Sequence, residues 1–207
     1  MRTIKLCLAA LAIMLTVSAN AQSVIAGYNI SKATTSNATP LNGFHVGLSK
    51  ESAIEGPLSL QYALLYNFQT ATDENSALGQ TATATTNTHS LDLPIRVAYT
   101  MPLDSKLSVF GFAGPNLNYY LSNKTTLKTT GITDTTIEGE NIYTQENGDG
   151  KKYYSPFDIQ LGIGAGVKYN NISIRVSYDW GMLDRDLLND NTVWKNNDLK
   201  ISLVYSL

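Results

Sequence analysis

Apolar and polar residues alternate with a period of two in eight separate stretches, the signature of strands with one apolar face. Val24, Ala26, Tyr28 and Ile30 oppose Ile25, Gly27 and Asn29 in the first stretch; Phe44, Val46 and Leu48 oppose His45, Gly47 and Ser49 in the second. The third sets Leu58, Leu60, Tyr62, Leu64, Tyr66 and Phe68 against Ser59, Gln61, Ala63, Leu65 and Asn67. The fourth sets Leu91, Leu93, Ile95, Val97, Tyr99 and Met101 against Asp92, Pro94, Arg96, Ala98 and Thr100. In the fifth, Leu107, Val109, Leu117, Tyr119 and Leu121 share one phase and Phe110 and Phe112 take the other, which predicts a bulge near Gly114-Pro115. The sixth alternates from Phe157 to Tyr169, the seventh from Ile172 to Gly181 and the eighth from Leu199 to Leu207.

The stretches approach the ~9–11 residues that a tilted strand needs to cross a bilayer. Tight turns at Glu55-Gly56-Pro57, Asp104-Ser105 and Asn170-Asn171 alternate with long links at 31–42, 70–89, 123–155 and 182–196. Outer-membrane barrels sort their connections in this way, short periplasmic turns at one end and long outer loops at the other. The expected fold is all-β: an eight-stranded antiparallel up-and-down transmembrane β-barrel. With the first strand running outward, Tyr99, Tyr169 and Tyr205 fall at the periplasmic end of the apolar face. Phe44, Phe68, Tyr119, Phe157, Tyr178 and Trp180 fall at the outer end, making two girdles at headgroup level.

The N-terminus agrees with export. Arg2 and Lys5 precede an uncharged apolar run from Leu6 to Val17, and Ala19-Asn20-Ala21 is a small-x-small cleavage site. Residues 1–21 are therefore expected to be a secretory signal peptide and 22–207 the barrel domain. The one cysteine, Cys7, lies in the discarded segment and too early in it for lipidation, so the mature part has no disulfide or Cys-based chemistry. The chain has 15 Lys+Arg and 17 Asp+Glu; without Arg2 and Lys5 the balance is 13 to 17, which argues against nucleic acid as a partner.

Alternation alone leaves open which face points outward, since a soluble binding barrel turns its apolar face in. The girdles, the small residues Gly162, Gly164 and Gly166 on the polar face, and charges in mid-strand favour apolar-out. Asp92, Asp158 and Asp179 are then expected to meet Arg96, Lys168, Arg175 and Lys200 inside the lumen. Eight strands enclose a space just wide enough to be filled by side chains, and ionised groups there must be paired or wet, so a plugged, salt-bridged interior is expected.

Three runs, Leu91-Asp92-Leu93-Pro94-Ile95, Phe112-Ala113-Gly114-Pro115 and Gly162-Ile163-Gly164-Ala165-Gly166-Val167-Lys168-Tyr169, resemble the porin-family, PorT-like outer-membrane β-barrel domain in order and spacing, over essentially the whole mature chain. The resemblance implies an integral outer-membrane barrel. Barrels of this kind usually end on an aromatic residue that the barrel-assembly machinery reads during biogenesis. Here Leu207 is last and Tyr205 lies two before it.

Other candidate chemistry has a plainer explanation. Gly162-Ile163-Gly164-Ala165-Gly166 opens no helix and is not a dinucleotide loop. His45 reads as a lumen residue and His89 as a loop end; His89 and Ser90 are adjacent and point to opposite faces, so they do not form a lipase-like pair. Glu146-Asn147-Gly148-Asp149-Gly150 departs from the calcium-loop pattern and reads as a solvated turn, and Thr81–Thr88 as a polar, weakly ordered loop tip. No catalytic, cofactor or metal residues are expected. The expected role is structural or surface-interacting: a monomer in outer-membrane lipid, with the loops 70–89 and 123–155 carrying any recognition. The rivals are a small-solute porin, a lipid-modifying enzyme and a soluble periplasmic binding barrel.

Overall fold

A computed structural model describes residues 23–35, 38–77, 79–131, 134–188 and 193–207. The expected signal peptide, 1–21, lies outside the described residues. The strands are β1 (Ser23–Ala33), β2 (Leu41–Glu55), β3 (Leu58–Ala77), β4 (Gln80–Pro102), β5 (Leu107–Thr130), the short β6 (Thr135–Glu138), β7 (Phe157–Tyr169), β8 (Ile172–Gly181) and β9 (Asn196–Ser206). All pairings are antiparallel. β1 pairs with β2 on one side and β9 on the other, and the β4–β5 pairing closes eight of the strands into a ring, leaving β6 as a flap on β5. Closure removes the sheet edges, which is what lets strands cross a lipid phase without unpaired backbone groups.

The ring is inside-out relative to a soluble barrel. Among the described residues, nine apolar side chains are buried against twenty-three polar or charged ones. Val46, Val97, Ile163, Val167, Ile174, Val176, Ile201 and Leu203 face outward and are exposed. Every girdle residue is on that outward face: Phe44, Tyr99, Tyr119, Phe157, Tyr169, Trp180 and Tyr205 are exposed, and Phe68 and Tyr178 half-buried. Phe44 and Phe68 pack as a cross-strand pair with ring centroids 5.6 Å apart, and Tyr178 meets Trp180 edge-on at 5.0 Å. A binding barrel with an apolar interior is thereby excluded.

The fifth strand has no break near Gly114-Pro115. The β4–β5 register is the same from Ser90↔Tyr120 through Leu93↔Leu117 to Met101↔Val109, and the shift falls instead at His89/Ser90. Phe110 and Phe112 are in regular phase and simply point inward, 8% and 4% exposed. The three facing glycines of β7 make the room. A Cβ on Gly164 would run into the Phe112 ring, one on Gly166 into Phe110, and one on Gly162 into Asp179 and Arg96.

The outer connections also differ from expectation. Residues 70–89 are not a loop: β3 and β4 continue as a hairpin paired as far as Ala77↔Gln80, and β5 pairs alongside as far as Thr81↔Thr130. The stretch Thr81–Thr88 is accordingly strand, because β-branched threonines with no competing core suit a pleated, half-exposed ladder. The sheet thus extends beyond the ring on one side, with β6 at its margin. The short turns at the other end are tight: Gly56 and Asn170 take the left-handed conformation, φ 55° and 51°.

Candidate functional site: a filled lumen between a basic mouth and a capped mouth

The centre of the lumen is a cluster of charges. Lys200 on β9 places its Nζ 2.7 Å from Asp92, 3.4 Å from Asp179 and 3.8 Å from Asp198. Arg96 on β4 donates to the other Asp179 oxygen and to the carbonyl of Gly114. Inward positions of three strands, β4, β8 and β9, supply the charged side chains, all with almost no exposure. Amides tie the cluster to its surroundings. Gln160 donates to Asp198 at 2.8 Å, and Asn116 donates to Gln160 at 2.8 Å and to Asp92 at 3.3 Å. Asn29, Asn67 and Ser90 form a second chain across β1, β3 and β4, and His45 shares a 2.9 Å hydrogen bond with Ser202. A buried ion cluster is tolerable only when its spare lone pairs and protons find such partners.

Of the seven charges expected in the lumen, the structure brings Asp92, Arg96, Asp179 and Lys200 together. Asp158, Lys168 and Arg175 make no ion pair within 4.0 Å among the described residues. Asp158 is fully buried, and it interacts with the Arg185 guanidinium and the backbone N–H groups of Leu183 and Ile159. Arg175 lies over the Phe112 ring, 5.2 Å from Cζ to centroid, and its Nε is buried without a partner. Lys168 stands half-exposed at the end of the barrel with the short turns. Asp198 joins the cluster from outside the expected set: it precedes the alternation that starts at Leu199, yet it shares the inward phase Asp198-x-Lys200-x-Ser202.

Above the cluster the outer mouth is capped. Arg185, in the link between β8 and β9, is 0% exposed. Its guanidinium sits 3.6 Å from the Tyr120 ring centroid and 5.1 Å from that of Tyr143, and donates to the Tyr143 hydroxyl at 2.5 Å and the Ser155 carbonyl at 3.1 Å. Tyr143 arrives on a single 3₁₀ turn (Ile142–Thr144) whose preceding residue, Asn141, accepts from the Tyr143 N–H and donates to the Leu121 carbonyl. Burial pushes the Tyr143 phenol above its ordinary value, against the pull of the neighbouring guanidinium. Asn196 donates to the Tyr120 hydroxyl at 2.9 Å, and Trp194 donates to Asn196 at 3.1 Å. An irregular link has no periodicity, so nothing in the pattern of residues marks Arg185 as buried.

The remaining candidates fall as follows. His89 is not a loop end but a β4 residue on the outer face, bonded to the Tyr66 hydroxyl at 2.6 Å and packed 5.0 Å from the Phe68 ring. Ser90 points inward to Asn67, so the two are on opposite faces. In the 146–150 segment the Asn147 side-chain oxygen accepts from the N–H groups of Asp149 and Lys151, closing a turn on itself.

An outward apolar band with aromatic girdles around a polar, charged interior defines a small transmembrane β-barrel. The chain belongs to the family described as outer membrane protein beta-barrel domain, whose model matches residues 9–185, and it is an outer-membrane protein. Its fold is similar to that of the outer membrane enzyme PagL, with TM-score 0.52 and 16% identity over 89% of this chain and 99% of that one. Neisserial surface protein A gives TM-score 0.48 and 16% identity over 89% and 96% of the two chains. Ail, the attachment invasion locus protein of Yersinia pestis, gives 0.38 and 12% over 89% and 97%. At these identities the likeness is one of fold. No curated protein sequence matches the chain.

Proposed function

We propose that this protein is a monomeric, closed outer-membrane barrel of the PorT-like kind, with a structural or surface-interaction role and no through-path for solutes. The observation that carries the reading is the filled lumen. Asp92, Arg96, Gln160, Asp179 and Lys200 are each 5% exposed or less, so water scarcely reaches that level from either end. The Arg185 cap is a second closure above it. An eight-stranded ring has little space to spare once such side chains are inside. In this reading His45 and His89 are structural: one ties the lumen wall, the other packs into the outer girdle. Recognition belongs to the outer end, where the β3–β4 hairpin, β6 and the link from 139 to 156 stand on a rigid base.

Conductance in a planar bilayer tests this. The purified barrel is expected to insert without steady single-channel current. A reproducible open level in the wild-type protein would overturn the closed reading in favour of a small-solute porin.

A further inference from the structure

The end of the barrel with the short turns holds a cavity of about 730 Å³ that meets the central cluster only at Arg96. Its lining is unbalanced: Lys50, Lys106 and Lys168 join Arg96 and Arg175, against the carboxylates of Glu51 and Asp104. Glu51 is already engaged, accepting from Ser59 Oγ at 2.5 Å and from Gln61 at 3.2 Å. Arg96 is engaged as well, by Asp179 and the Gly114 carbonyl. Arg175 is not. Among the described residues it has no ion pair and no hydrogen bond, only the face of Phe112, and its Nε is buried without an acceptor. A half-buried guanidinium that faces the cavity with no anion beside it leaves its charge uncompensated, and its donors arranged as a planar fork match a carboxylate or phosphate. Serine hydroxyls at 23, 49, 108 and 173 add donors around it.

We propose that this basin is a binding site for a small oxyanion bearing carboxylate or phosphate groups, with Arg175 as its central contact and Lys50 and Lys168 supplying charge from the rim. The size lies within the range of small-ligand sites, roughly 300–1,000 Å³. The filled lumen behind it makes it a blind pocket opening to the periplasm, so a ligand would be held there and not passed on.

Calorimetric titration of the folded protein in a non-ionic detergent, with inorganic phosphate and separately with citrate against sodium chloride of equal ionic strength, tests the proposal. Saturable binding of at least one oxyanion is expected, and the better of the two identifies the group class. R175Q should weaken it about tenfold or more, the effect of one lost charge-assisted hydrogen bond, while retaining the heat-dependent gel shift of a folded barrel. K168Q should weaken it severalfold and serves if R175Q does not fold, whereas Lys124→Gln, at the opposite end, should leave it unchanged. Neither oxyanion binding better than chloride, or wild-type affinity retained in both R175Q and K168Q, would overturn the proposal.

Discussion

Replacing Lys200 by methionine removes the one cation that three carboxylates share while keeping most of the side-chain volume. At an effective dielectric near 20 its attraction to Asp92 at 2.7 Å is about 6 kcal/mol, and that to Asp179 at 3.4 Å or Asp198 at 3.8 Å is about 4–5 kcal/mol each. These are gross terms, offset by desolvation and by repulsion among the carboxylates. Removal of one partner from a buried pair costs about 3–5 kcal/mol, because the orphaned charge stays behind. Asp179 keeps Arg96, so the burden falls on Asp92 and Asp198, left with only amide donors. Equilibrium urea unfolding in lipid vesicles, followed by tryptophan fluorescence, should therefore show K200M less stable by about 3–5 kcal/mol. Adding Asp92→Asn removes the carboxylate that Lys200 approaches most closely, so the double variant should be more stable than K200M alone. A loss within the ~0.5 kcal/mol typical of surface changes, or a double variant that is less stable than K200M by the full cost of D92N, would refute the idea that the cluster is held together through Lys200.

Four further outcomes follow from other parts of the barrel. Gly164→Ala should destabilise by about 1–3 kcal/mol through overpacking, since its Cβ would lie against the Phe112 ring and 2.5 Å from the Val176 carbonyl oxygen; urea midpoints compared with Gly148→Ala, where a Cβ meets nothing, check it. Arg185→Ala should leave the ring folded but raise the rate of protease cleavage within 139–156, and Arg185→Lys should not restore protection because an ammonium cannot replace the planar fork over Tyr120 and Tyr143. The raised phenol of Tyr143 favours the capped state most below the ordinary tyrosine pKa of about 10, and that contribution is lost as pH rises towards the folded value; cap protection in the wild type should fall in that alkaline window, and less so in Tyr143→Phe. Lipids brominated at shallow depth should quench Trp180, exposed on the apolar face, more than Trp194, which packs against Tyr154 at 4.7 Å, and equal quenching would contradict the orientation.

How much of this was legible depended on whether a residue's environment was periodic. The ring, the outward girdles and the central cations all follow from period two, because a strand sends alternate side chains to opposite faces and one face had to meet lipid. Where period two was read too cautiously, the structure corrects it. Phe110 and Phe112 kept phase, but aromatic residues pointing into a polar lumen made no sense until Gly164 and Gly166 were placed across from them. Likewise the Thr-rich outer segment reads as a loop because it is polar on both sides, although polarity says only that no core lies behind it, and threonine's branched Cβ still favours the ladder. The pairing of charges was legible in kind and not in detail. Sequence phase places Arg96 and Arg175 alike in the lumen, yet strand tilt and register decide that one meets Asp179 and the other meets a phenyl face. That difference gives the two arginines different parts: Arg96 is spent on closing the barrel, while Arg175 has, among the described residues, a buried Nε with no acceptor.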